Sequence, residues 1–468
     1  MSQNSADTKK KLGLLACIGT GIGAIIGSGI FGALPEAINL VGSAMIPALI
    51  LAALYTICVM FPNVFASSVI PATGSFFLHS TKLIHPVFGV WQALQGMLQP
   101  ALIGVFASMF ASYFVILFPA LSDHTTAVAA IMLLVFGVLA WMGNNVFANT
   151  GNVMVVVMLC ALGVYIFFGV PNMDMSQIAF GDVFKSGVTL TSFSTAIGLF
   201  TSTLSGAGSV SQIADDLKNP KRDIPLTLII APAAVCVIYI LMGLVTLGNM
   251  PAGALTDLAT VGQTYLGSAL LTFFIVGGPL CGIMTSIIPV MMLSCAMIQT
   301  SAEHGMFPEF IAKKNKNGVS TIVLIYVIAL TEFLVLSGKG VGELMTMFSF
   351  VNTACAVPTC LVPFYLKKRY PNACDYAGLK VPYKLVSVLS AFALVVSVYL
   401  AVVMLFGMDK SSWMLILIMV VITVVYFFIR VAYIKSHGGN LMASLAAPYQ
   451  PWEELEANCK AMNEAAAK

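Results

Sequence analysis

Twelve long apolar stretches separated by polar or Pro/Gly clusters dominate the sequence: residues 12–40, 43–68, 86–119, 125–142, 151–171, 189–217, 223–249, 265–302, 319–337, 340–367, 384–407 and 411–434. A helix needs roughly 20 apolar residues to cross a bilayer, and most of these stretches meet that length. Hydrophobic residues make up 59% of the 468 and charged residues 9%, against about a quarter charged in soluble domains. The pattern predicts an all-α membrane protein with twelve transmembrane helices in a lipid bilayer. A soluble globular enzyme is excluded.

The few charges then read as topology. An even number of spans puts both termini on one side, and only three of the 22 Lys and Arg residues (Lys185, Lys339 and Lys410) fall on the other. Basic residues concentrate in cytoplasmic loops, so both termini are expected in the cytoplasm, in a multi-pass protein of the cell (inner) membrane. The net charge of +3 forms no dense basic field for nucleic acid. Eight of the ten cysteines lie inside apolar runs without metal-type spacing and read as free thiols. His79, His85, His124, His304 and His437 fall in loops or helix ends. No intramembrane catalytic constellation appears, so neither an enzyme nor a cofactor is expected. The polar start runs straight into the first apolar stretch, which is expected to be retained rather than cleaved.

Two spans carry comparable interruptions. The first contains Gly19, Gly21, Gly23, Gly27, Ser28, Gly29 and Gly32; the sixth contains Ser202, Thr203, Ser205, Gly206, Gly208, Ser209 and Ser211. Glycine costs up to about 1 kcal/mol relative to alanine inside a helix, and unwound backbone at membrane depth is tolerated only where it lines a cavity or is buried in protein. Small residues also permit close helix packing, but Gly27-Ser28-Gly29 puts at least one of three on the wrong face. Breaks five spans apart predict two five-helix repeats with a site between them at mid-membrane. The expected units are a tail at 1–11, repeats at 12–171 and 172–367, two extra helices at 368–434, and a C-terminal tail at 435–468.

Several motifs then resemble the amino acid, polyamine and organocation (APC) transporter superfamily, and within it the basic amino acid/amine antiporters. They are Lys10 to Cys17 followed by Gly27-Ser28-Gly29-Ile30-Phe31 and Leu34-Pro35; Lys218-Asn219-Pro220-Lys221-Arg222-Asp223-Ile224-Pro225; and His304-Gly305-Met306-Phe307-Pro308-Glu309-Phe310. The resemblance covers roughly residues 9–370. It implies a LeuT-type five-plus-five inverted repeat, alternating access, and a small-molecule amino acid or amine substrate held between spans one, three, six, eight and ten. A homo-oligomer is compatible with it. On the first span, N–H groups from Gly29 onward, at the positive end of a helix dipole, are expected to cradle a carboxylate, with the Ser28 hydroxyl added. Carbonyls near Ile25 and Ile26 are expected to face an ammonium.

The departures from that family narrow the substrate. Its cation-selective members have Gly-x-Glu at the sixth-span break, where this chain reads Gly206-Ala207-Gly208. The arginine exchanger's aromatic gate corresponds to Ser202 and its eighth-span tryptophan to Met291. A neutral or zwitterionic substrate, carried by exchange, is therefore expected, the alternatives being a cation-preferring amino acid/polyamine antiporter that uses another acid such as Glu36, or a proton- or sodium-coupled amino acid symporter. The candidate substrate-binding set is Ile25, Ile26, Gly27, Ser28, Gly29, Gln95, Gln99, Ser202, Thr203, Ser205, Gly206, Gly208 and Met291. Gln95 and Gln99 share a helix face at i, i+4. Glu36, Asp215 and Asp216 are gating or coupling candidates, Glu36 also being the nearest substitute for the missing acid. Thr285 and Ser286, with Ser294 nearby, resemble hydroxyls that close a sodium site.

Overall fold

The structure is a computed structural model that describes residues 13–69, 75–142, 151–178, 187–208, 217–250, 257–370 and 381–446, with the single positions 210, 377 and 457. The elements in these ranges are all helical. In chain order they begin with α1 (Leu14–Ser28), a π turn (Gly29–Ala33), α2 (Leu34–Val41), α3 (Met45–Val69) and α4 (Ser75–His79). There follow α5 (Pro86–Leu98), α6 (Pro100–Leu117), α7 (Thr125–Trp141), α8 (Gly151–Gly169), α9 (Leu190–Leu204) and α10 (Pro220–Gly248). After α11 (Leu258–Gly262) come α12 (Ser268–Ile275), a further π turn (Val276–Leu280) and α13 (Cys281–Glu303). The chain continues through α14 (Glu309–Ala312), α15 (Thr321–Leu336), α16 (Val341–Arg369), α17 (Tyr383–Gly407), α18 (Lys410–Ser436) and α19 (Leu441–Ala446).

Nine helical stretches in these ranges are long and apolar enough to cross a membrane. One of them, Leu14–Val69, has 56 residues, about 84 Å at 1.5 Å per residue, far beyond a hydrocarbon core of about 30 Å. It must turn back, and it does so at Gly42, whose φ of 53° suits glycine. Burial separates a centre from a periphery. Two thirds of the most apolar windows of Pro86–Leu117 and Val341–Arg369 are buried, but only 17% of that of Lys410–Ser436. α9 packs against α2, α3, α16 and α17, and α1 against α10 and α13.

Prolines inside the central helices free carbonyls that lipid cannot satisfy. Pro358 removes the donor for the Ala354 carbonyl, and the Trp91 indole N–H of α5 donates to it at 3.1 Å. One residue on, Gln92 Nε2 donates to the Cys355 carbonyl at 3.1 Å. Pro100, where α5 ends and α6 begins, does the same to Gly96, whose carbonyl accepts from Ser294 Oγ of α13 at 2.8 Å. Ser294 thus gives its proton to a carbonyl that the kink has freed.

Candidate functional site

The first span is not unwound at Gly27–Gly29 as expected. α1 runs through Ser28, and Gly29 is right-handed helical, with φ −69° and ψ −50°. The chain then widens into the π turn, a distortion often found at functional sites. Glycines here reduce the surface to bare backbone so that other helices can touch it, without forcing the helix open. A Cβ on Gly27 would collide with Ser286 Oγ of α13 and lie 2.9 Å from the Gly282 carbonyl oxygen. A Cβ on Gly29 would collide with the Tyr239 hydroxyl of α10 and lie 2.9 Å from Thr203 Cβ. Phe31, on the π turn, packs against Gly278 and Gly282 and meets Tyr113 edge-on at 6.0 Å.

The sixth span behaves differently. α9 ends at Leu204 and tightens into a 3-10 turn over residues 205–208. Gly206 lies against the first span, a Cβ there falling 2.6 Å from the Ala24 carbonyl oxygen. Gly208 faces the Met60 sulfur at 3.3 Å and Phe76 at 3.9 Å by the same measure. The hydroxyls of this span spend their protons locally. Ser202 donates to Leu199 O at 2.7 Å, Thr203 to Phe200 O at 2.9 Å, and Ser205 to Thr201 O at 2.7 Å. Each oxygen keeps acceptor capacity. With Ser202's proton on its own helix, Ser349 of α16 is the donor in the 2.6 Å contact between the two hydroxyls.

The predicted residues therefore divide. Ile25, Ile26, Gly27, Gly29, Ser202, Thr203, Ser205 and Gly206 lie at or beside the contact of spans one and six. Ile25 and Ile26 are fully buried, and the Ile25 carbonyl accepts from Tyr239 OH at 3.2 Å. Gln95 Nε2 donates to Asn352 Oδ1 of α16 at 3.3 Å, and Gln99 is buried at the Pro100 kink. Met291 is fully buried in the core. Thr285 donates to Gly282 O on its own helix at 2.9 Å, whereas Ser286 Oγ is buried without a hydrogen-bond partner among the described residues. Glu36 stands apart: its carboxyl lies against Gly342 in the first turn of α16, beyond the π turn. The Ser28 side chain, Ser209, Ser211, Asp215 and Asp216 lie outside the described residues.

Sequence reasoning missed Tyr239, Ser349, Asn352 and Thr353. Thr353 Oγ1 is buried without a hydrogen-bond partner among the described residues, one helical turn from Ser349. The i, i+4 spacing of two hydroxyls in an apolar helix was the available signal; for a lone tyrosine there was none. No Asp, Glu, Lys or Arg occurs in residues 20–33, 195–208, 282–295 or 345–356, which hold the residues facing this contact from α1, α9, α13 and α16. No group of three or more His, Cys, Asp or Glu side chains suited to a metal occurs among the described residues.

A helical membrane bundle whose interrupted helices meet around backbone dipoles and hydroxyls is the architecture of a small-molecule transporter. Comparison with known proteins gives the family: the amino acid permease model matches residues 12–412, and the chain belongs to that family, within the APC superfamily. It is similar to a methylthioribose transporter of Bacillus subtilis (strain 168), 23% identical over 387 residues, 78% of this chain and 82% of the relative. An uncharacterized protein of Methanocaldococcus jannaschii is 25% identical over 315 residues, 65% of this chain and 71% of the relative. A vacuolar cationic amino acid transporter of Arabidopsis thaliana is 22% identical over 160 residues, 32% of this chain and 27% of the relative. The chain is a membrane transporter, not an enzyme.

Proposed function

We propose that this protein moves an amino acid or its derived amine across the cytoplasmic membrane by alternating access, as an exchanger that favours neutral or zwitterionic substrates. The observation that carries this reading is the absence of any ionisable Asp, Glu, Lys or Arg from the four helix stretches that meet at the centre. A dicationic ligand there would bury a second charge with no counter-ion, which is costly in a low-dielectric site. One ammonium fits better. The oxygens of Thr203 and Ser205 have their protons directed to helix carbonyls and keep acceptor capacity. The relatives are named as transporters of methylthioribose and of cationic amino acids, and the longer alignment is to the former.

The accompanying architecture is twelve crossings in a LeuT-type inverted repeat. It is supported by the turn-back at Gly42 and by two further helices too short for the nine: α15 with 16 residues and α9 with 15 before its 3-10 turn. Cytoplasmic termini follow from the charge asymmetry. Counterflow in proteoliposomes tests the function. Preloaded neutral amino acids or monoamines are expected to drive uptake of labelled substrate, with lysine, arginine and putrescine competing poorly. Micromolar exchange of arginine or putrescine would overturn the neutral preference.

Sodium coupling is a second reading, favoured by one observation: the buried Ser286 hydroxyl against Gly27, which has no hydrogen-bond partner among the described residues. Thr285 and first-span carbonyls would complete the ligand set. Uptake unchanged when N-methylglucamine replaces sodium would remove it.

A further inference from the structure

At the basic end of the bundle, far along α16 from Glu36, a cavity of about 610 Å³ opens between three elements that are distant in sequence. Lys82 and His85 come from the segment between α4 and α5, Lys368 and Arg369 from the last turn of α16, and Ala443 and Ala446 from α19. We propose that this cavity is a binding site for a phosphate group carrying an organic body, either a phospholipid headgroup or a soluble phosphorylated molecule.

Arg369 is the best-prepared ligand. Its Nη1 donates to the Lys82 carbonyl, and its Nη2 to the Ala446 carbonyl at 3.4 Å. A guanidinium has five N–H donors, so three remain while the plane is held by two backbone groups. A fixed fork suits an oxyanion better than a free one. No carboxylate occurs among the described lining residues. Burial lowers the affinity of the Lys82 ammonium for its proton, an effect that a bound anion opposes.

The far wall has its own construction. α19 turns Leu441 and Leu445 into a cluster with Phe77 and Phe427, which leaves Ala443 and Ala446, with Met442, to line the cavity. Two alanines keep the space open where larger residues would fill it. The bland account is that these cations only mark the basic side of the membrane and cap the negative end of the α16 dipole. That explains Lys367, Lys368 and Arg369, which share one helical turn. It does not explain Lys82 reaching the same cavity from another element, or the two alanines of α19 beside it. The volume lies within the range of small-molecule sites and exceeds what inorganic phosphate alone would occupy.

The test is direct binding to the purified full-length protein in neutral detergent, which does not depend on any transport activity. Probes are dihexanoyl phosphatidylglycerol, dihexanoyl phosphatidylcholine and glycerol 3-phosphate. Phosphatidylglycerol is expected to bind and raise the melting temperature, with the zwitterionic lipid at least about tenfold weaker. The double substitution Lys368→Gln/Arg369→Gln is expected to weaken binding about tenfold or more, consistent with loss of charge-assisted hydrogen bonds. Ala443→Leu/Ala446→Leu, which keeps every charge, is expected to weaken it similarly by filling the space. Tight binding of glycerol 3-phosphate assigns the site to soluble phosphates; binding of phosphatidylglycerol alone assigns it to lipid. Equal binding of both lipids, binding indifferent to the charge substitutions, or no binding of either phosphate probe overturns the proposal. Should the leucine pair fail to fold, the glutamine pair and the phosphatidylcholine control decide.

Discussion

Where the first span meets α10 and α13, bare backbone is the contact surface; where α9 meets α16, hydroxyl groups are. Glycines 27 and 29 leave no room for a side chain, because Ser286 and Tyr239 already occupy the places where one would go. Ser202 and Ser349 meet through a 2.6 Å hydrogen bond between side chains, a contact that can be retuned by one atom. The glycine side sets how closely the helices approach, and the hydroxyl side sets what chemistry they present. Substitutions should therefore act on assembly at the first and on selectivity at the second.

The largest effect is expected from Gly27→Ala. Its new methyl group meets Ser286 Oγ and the Gly282 backbone, and overpacking of this kind costs about 1–3 kcal/mol. Thermal unfolding in detergent should show a clear loss, partly restored by adding Ser286→Gly; no restoration would mean that the Gly282 backbone, not the hydroxyl, sets the limit. Gly208→Glu comes next. Gly206 is blocked by the Ala24 carbonyl, but at Gly208 the nearest atom is a flexible methionine sulfur at 3.3 Å, so the carboxylate should be accommodated. Counterflow competition should move toward lysine and putrescine by about tenfold, since opposite charges attract by several kcal/mol at an effective dielectric near 20. An unchanged ranking would break the link between this position and substrate charge.

Tyr239→Phe removes the donor to the Ile25 carbonyl at 3.2 Å and should cost about 1 kcal/mol in the same unfolding measurement, with packing retained. The smallest effect lies outside the spans. Burial would raise the Asp409 carboxyl pKa, but hydrogen bonds from Ser411, Ser412 and Lys339 outweigh it and hold it below the usual carboxylate range. A depressed native pKa contributes stability above the unfolded value of about 4 and loses it as pH falls through the native one. Melting temperatures of the native protein and Asp409→Asn should differ above about pH 4 and converge in stronger acid.

Helix positions were legible because lipid demands long apolar runs, and these can be counted. The form of the first-span interruption was not, because glycine reports only that a side chain is absent. Gly27 and Gly29 are compatible with an open break or with a tight contact, and residues more than 200 positions away decide between them. Met291 and Ser294 show the same limit. Position on the eighth span suggests a substrate wall and an ion ligand, but says nothing of the packing that buries Met291 or of the hydrogen bond from Ser294 to the Gly96 carbonyl. Tyr239 carried no local signal, since its partner is a backbone carbonyl 214 residues earlier.

The side chains that cover the freed carbonyls of α16 have a mechanical consequence. Trp91, Gln92 and Gln95 fasten α5 to α16 at three successive points, two of them on carbonyls beside the Pro358 kink. Sliding either helix by one residue would strand polar groups in hydrocarbon, where each costs several kcal/mol. These bonds resist sliding of α5 past α16. In the transport cycle proposed above, the two helices are expected to move as a pair, with opening taken up at other joints.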